Sequence, residues 1–123
     1  MRQIKTFEEF EVWEKGREIA CHVYRLTGLK AFAFDFGLKN QIRRASVSII
    51  SNIAEGYESQ TNNVFVRHLR IAKGSCGEVR SQLYVALDQK YISDEEFKAL
   101  SELCRKTSSQ LSSFIEYLIR TKP

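Results

Sequence analysis

Proline occurs once in this 123-residue chain, at its last position, Pro123. No pyrrolidine ring therefore interrupts a helical hydrogen-bond run anywhere before it. Long helices are permitted throughout, and the apolar spacing asks for four of them. From about Phe7 to Thr27, the residues Val12, Trp13, Gly16, Ile19, Ala20, Val23 and Leu26 share one stripe, which Gly28 and the loop-like LKAFAFDF end. A second helix is expected from about Gly37 to Tyr57, capped by Asp35. The third starts near the Thr-Asn-Asn cluster at 61–63 and runs to about Lys90, with Phe65, Leu69, Ala72, Cys76, Val79, Leu83 and Leu87 inside. For the fourth, Ser93 and Glu96 form a capping box, followed at helical spacing by Phe97, Leu100, Leu103, Cys104, Thr107, Leu111, Phe114, Ile115 and Leu118. No segment carries a strand pattern. Short connections set consecutive long helices antiparallel, so the expected fold is all-α: one domain, 1–123, an antiparallel up-down-up-down four-helix bundle.

A chain of this length can bury a single core without staples. Its 43% hydrophobic and 28% charged residues exclude a disordered chain. No apolar run approaches the roughly 20 residues that span a bilayer, and the N-terminal MRQIKTFEEFEVW has acids where a signal peptide needs an apolar stretch. Cys21, Cys76 and Cys104 are odd in number and lack a CxxC, which fits reduced thiols in a cytoplasmic protein. The net charge is +4, and residues 61–92 hold three of those four excess charges, five Lys or Arg against two acids.

The segment QIRRASVSIISNIAEG, residues 41–56, is apolar on more than one face. On a wheel of about 100° per residue, Leu38, Ala45, Ser46, Ile49 and Ile53 cluster around Ile42 and form the bundle's own core face. Val47, Ile50 and Ala54 make a second apolar strip. A third strip carries Gln41, Arg44, Ser48, Asn52 and Glu55. A helix apolar on two faces is normally buried on two sides, so self-association through Val47, Ile50 and Ala54 is expected, each large aliphatic contributing roughly 1.5–3 kcal/mol. The alternative is that Phe32, Phe34 and Phe36 fold back over this strip within one chain. Arg44, Asn52 and Glu55 are candidates for the same subunit interface, paired with counterparts on a neighbour, because buried charges need partners; contact with another helix of the same chain is the alternative.

Residues 36–56, FGLKNQIRRASVSIISNIAEG, resemble the signature of the four-helix-bundle family of 23S rRNA-intervening-sequence proteins, related to the accessory variability proteins of diversity-generating retroelements. FEEFEVWEKGREIACHVYRLT and FVRHLRIAKGSCGEVRSQLYVAL extend the resemblance over nearly the whole chain. It implies a bundle that assembles into a ring, typically a homopentamer, without enzymatic activity. In the retroelement relatives it implies binding of a reverse transcriptase and of nucleic acid through basic surfaces. Two departures stand out: Ile50 replaces a usual proline, so a kink there is expected to be weaker, and LKAFAFDF lacks the proline usual before Gly37.

For nucleic acid, Arg67, Arg70, Lys73 and Arg80 are the candidates. They lie within about 140° on the third helix, opposite its core stripe, and can neutralise RNA or DNA phosphates without reading sequence. The competing view is a solvated face that keeps the protein soluble. Gly74-Ser75-Cys76-Gly77 sits inside this helix as a close-packing or low-relief segment, not a phosphate cradle. A catalytic use of the polar strip needs a nucleophile with a base in reach, and no histidine stands near it in sequence. His22 and His68 lack ligands at metal spacing. The expected function is thus a non-enzymatic, nucleic-acid-binding homo-oligomer with no cofactor, no metal and no membrane partner. The rival is an adaptor that recruits a protein such as a reverse transcriptase.

Overall fold

The computed structural model describes residues 4–121. Four helices follow in order: α1 (Glu11–Thr27), α2 (Phe36–Glu58), α3 (Asn62–Asp88) and α4 (Asp94–Arg120), with 3-10 turns at Phe7–Glu9 and Lys30–Phe34. No strand occurs among the described residues. Each helix packs on the next and α4 closes against α1, giving the expected all-α four-helix bundle.

The helix starts obey local chemistry. The Asp35 carboxylate accepts from the Leu38 amide at 3.1 Å, and the Thr61 hydroxyl accepts from the Val64 amide at 3.4 Å. Ser93 and Glu96 cap reciprocally, at 3.0 and 2.8 Å. At the far end of α3, Lys90 takes the left-handed position (φ 63°) usually given to glycine. The amide of Tyr91 then reaches the Ala86 carbonyl and that of Lys90 the Leu87 carbonyl, both at 2.9 Å.

Three features differ from the sequence expectation. First, the first helix starts later, because Phe10 is extended (ψ 132°) and separates the Phe7–Glu9 turn from α1. This break drops its ring among Tyr57, Phe65 and Phe114, with centroids 5.3, 5.9 and 5.1 Å away. Burying an aromatic ring in such a cluster outweighs one lost helical turn.

Second, LKAFAFDF forms the Lys30–Phe34 3-10 turn and the first residue of α2, and buries only one of its three rings. Phe32 is enclosed and stacks on Tyr91 at 5.1 Å. Phe34 and Phe36 stay exposed and do not fold over the apolar strip of α2.

Third, part of that strip is covered from within the chain. A Cβ at Gly16 would stand 2.7 Å from Ile50 Cγ2 and 2.9 Å from Ile49 Cγ2, so α1 lies directly on Ile50. Ile50 and Ala54 are half-buried, while Val47 remains 36% exposed. With Ile50 in place of proline, α2 runs unbroken through this point.

Candidate nucleic-acid interface

The α3 cations divide between open surface and the α3–α4 groove. Arg67 and Arg70 are exposed, whereas Lys73 and Arg80 are half-buried. Arg70 and Lys73 line a shallow groove of about 330 Å³ with Ser112, Ile115, Glu116 and Ile119. Arg70 and Ile119 also border an adjoining depression, of about 220 Å³, with Asn62 and Asn63. Arg70 therefore stands where two concavities meet. The groove's acid, Glu116, already lies 3.5 Å from the Arg120 guanidinium.

Further along, Arg80 reaches toward Cys104, and its Nε is enclosed without a hydrogen-bond partner. Burial pushes both core thiols up to about 12, Cys76 against the opposing charge of Lys73, and Cys104, raised also by Cys76, against that of Arg80. These two thiols stay protonated at neutral pH, and Cys21 is the exposed free cysteine. A Cβ at Gly74 or Gly77 would meet nothing within 4 Å. The glycine pair is thus a low-relief stretch of surface, and close packing is left to Gly16 and Gly56.

The polar strip of α2 faces α3. Gln41 Oε1 accepts from Gln82 Nε2 at 3.4 Å, and the Ser75 hydroxyl donates to the Ser48 hydroxyl at 2.9 Å. Asn52 Nδ2 donates to the Ser48 carbonyl (2.8 Å) and hydroxyl (3.0 Å). The amide nitrogen is thereby fixed toward Ser48, so Asn52 Oδ1 faces His68 Nδ1 at 2.8 Å and His68 must donate. Glu55 adds a carboxylate 3.7 Å from the same ring nitrogen. Asn52 and Glu55 thus have a partner in their own chain, the alternative raised from sequence, while Arg44 projects into solvent.

Sequence reasoning missed the α3 side of this seam, Ser75, Gln82 and above all His68. His68 lies sixteen residues from Asn52, and only the antiparallel register of α2 and α3 brings the two together. The available signal was its flank position on α3, shared at helical spacing with Ser75 and Gln82. The Ser48 and Ser75 hydroxyls and the Asn52 amide are spent within the seam, Gln82 Oε1 is buried there without a partner, and no nucleophile is presented to a base. Among the described residues, no three His, Cys, Asp or Glu side chains gather to hold a metal ion. No helix among them is long and apolar enough to cross a membrane.

The sequence profile of the 23S rRNA-intervening sequence protein family matches residues 8–113. The chain belongs to this family. A crystal structure of a protein of unknown function from the S23 ribosomal protein family of Bacteroides thetaiotaomicron VPI-5482 superposes with a TM-score of 0.79 at 25% identity. The match covers 85% of this chain and 95% of that one. Among curated proteins, none matches the sequence. The AEG that ends residues 41–56 serves packing. A Cβ at Gly56 would stand 2.7 Å from His68 Cβ and 3.3 Å from Phe65 Cα, so this glycine lets α2 and α3 approach closely.

Proposed function

We propose that this family member is a non-enzymatic accessory protein of the cytoplasm that binds nucleic acid, RNA in particular, through α3. The observation that carries this is Arg70 at the junction of two concavities, flanked by Lys73 and by the uncharged donors Ser112, Asn62 and Asn63. Such a groove suits phosphate: Arg70 and Lys73 supply attraction, hydroxyl and amide groups orient it, and the groove's one carboxylate, Glu116, lies against Arg120. Arg67 extends the positive surface outward and Arg80 continues it along the same helix.

The protein acts as a homo-oligomer, a pentamer by family resemblance, with Val47 and the adjoining edges of Ile50 and Ala54 at the contact and Arg44 and Glu55 beside it, while Asn52 stays within the α2–α3 seam. A ring multiplies weak phosphate contacts into avidity. The second reading is an adaptor that recruits a reverse transcriptase, as the resemblance to retroelement accessory proteins implies. The support for it is the pair of exposed aliphatic side chains on α3, Ile71 and Val85, each 46% exposed.

Fluorescence anisotropy with labelled RNA over a salt series tests the proposal. Binding should fall steeply with salt, and changing Arg67, Arg70 and Lys73 to Ser should shrink the slope by about 0.7 for each phosphate no longer neutralised. Unchanged binding in the triple variant would remove α3 from the interface and favour the adaptor.

A further inference from the structure

We infer that the end of the bundle formed by the Lys30–Phe34 turn and the start of α2 is a stacking platform for single-stranded nucleic acid. This deepens the nucleic-acid reading above and rests on it, but it assigns bases to a surface that α3 does not contribute.

The first observation is two large rings left in water. Phe34 is 77% exposed and Phe36 is 64% exposed, the most solvent-open large apolar side chains among the described residues. They are not loose ends. Between them, Asp35 caps α2 and accepts from the Tyr91 hydroxyl at 2.9 Å, and Phe32 is locked under Tyr91. The turn is pinned on one side, so its two other rings are held outward by a rigid support.

The second observation is charge. Residues 22–44 hold Arg25, Lys30, Lys39, Arg43 and Arg44 against a single acid, Asp35, which leaves fourteen basic and fourteen acidic residues for the rest of the chain. This stretch therefore carries a net +4 of its own, beside the +3 of residues 61–92, and Asp35 is already engaged by two donors. The cations interleave with rings. Lys39 Nζ lies 5.9 Å from the centre of the Phe36 ring and within 3.5 Å of the Ala33 carbonyl. The Arg43 guanidinium stacks on Tyr24 at 4.3 Å, and its Nε donates to Thr27 at 2.7 Å. Lys30 is exposed and has its charge free for phosphate.

Exposed rings between cations, supported from beneath, are what single strands use: bases stack on the rings and the backbone tracks the charge. Duplex RNA hides its base faces and gains nothing from the rings.

The test measures anisotropy of a labelled single-stranded RNA of about ten nucleotides, beside a duplex and a base-free strand of equal length, with light scattering on every variant. Phe34→Ser with Phe36→Ser is expected to weaken single-strand binding by roughly 30-fold and to leave duplex binding and assembly mass unchanged. Tyr at both positions should retain affinity, and the wild type should lose a similar factor on the base-free strand. Unchanged single-strand affinity in the Ser variant overturns the platform. A fall in assembly mass that tracks the loss of affinity also overturns it, because the rings then belong to a subunit contact. If the wild type binds no RNA even at low salt, the nucleic-acid reading falls and the platform with it. If it binds RNA and responds only to Arg70→Ser with Lys73→Ser, the platform alone falls.

Discussion

The two flanks of α2 are packed by opposite means. Toward α1, Ile50 and Ile49 fill the space a side chain at Gly16 would take, and Arg43 crosses to Thr27 and Tyr24. Toward α3, serine, asparagine, glutamine and histidine pair with one another from Gln41 to Glu55. The apolar flank tolerates small shifts, because methyl groups have no preferred direction and Ile50 keeps an open side. The polar flank fixes register, because each amide or hydroxyl moved by one residue loses its partner and still bears the cost of burial. Two packed flanks thereby account for a helix apolar on more than one face without requiring that all its apolar residues await a second copy.

Alanine at the two tight glycines gives the largest contrast. Gly56→Ala drives a Cβ against His68 Cβ and toward the Phe65 backbone, which cannot swing away; a loss of about 3 kcal/mol is expected in urea unfolding. Gly16→Ala meets only the methyl ends of Ile50 and Ile49, and about 1 kcal/mol is expected, with Ile50→Ala relieving the clash as a negative coupling. Equal losses at both glycines would erase the distinction between a rigid and a yielding flank.

Asn52→Ala comes next. It strands His68 Nδ1 and removes the donor from Ser48, and about 2 kcal/mol should be lost. In a double-mutant cycle, His68→Ala added to it should cost much less than His68→Ala alone. Additivity within about 0.5 kcal/mol would mean that the seam is a row of independent pairs. The smallest effect has the opposite sign. Gly74→Ala and Gly77→Ala, open on the outer side of α3, should each stabilise by about 0.5–1 kcal/mol, read as a rise in the urea midpoint. A loss at either position would reveal a close neighbour, such as an adjoining subunit, over that surface.

Much of the fold was legible because it rests on local rules. The stripes of α3 and α4 are buried as spaced, and Asp35, Thr61 and Ser93 cap where their side chains can reach an amide three residues on. The start of α1 was not legible, since the break at Phe10 gains its energy from Tyr57, Phe65 and Phe114, which are distant in sequence. Charge was legible in amount but not in place. Counting it helix by helix pointed to α3 and split the stretch from Arg25 to Arg44 across a helix end, a turn and a helix start, where geometry unites it.

The candidate site shows the same division. Arg67 and Arg70 are exposed as their wheel positions require, but whether Lys73 and Arg80 are free depended on how closely α4 lies beside α3. Sequence by itself determined the helices, their caps, the core stripes and the family, because each is encoded within a few turns of chain or in a contiguous motif. Tertiary structure alone decided which glycines are crowded, which polar residues are spent on one another, and which phenylalanines of the turn remain in water. Those depend on distances between helices, and no periodicity along one chain segment contains them.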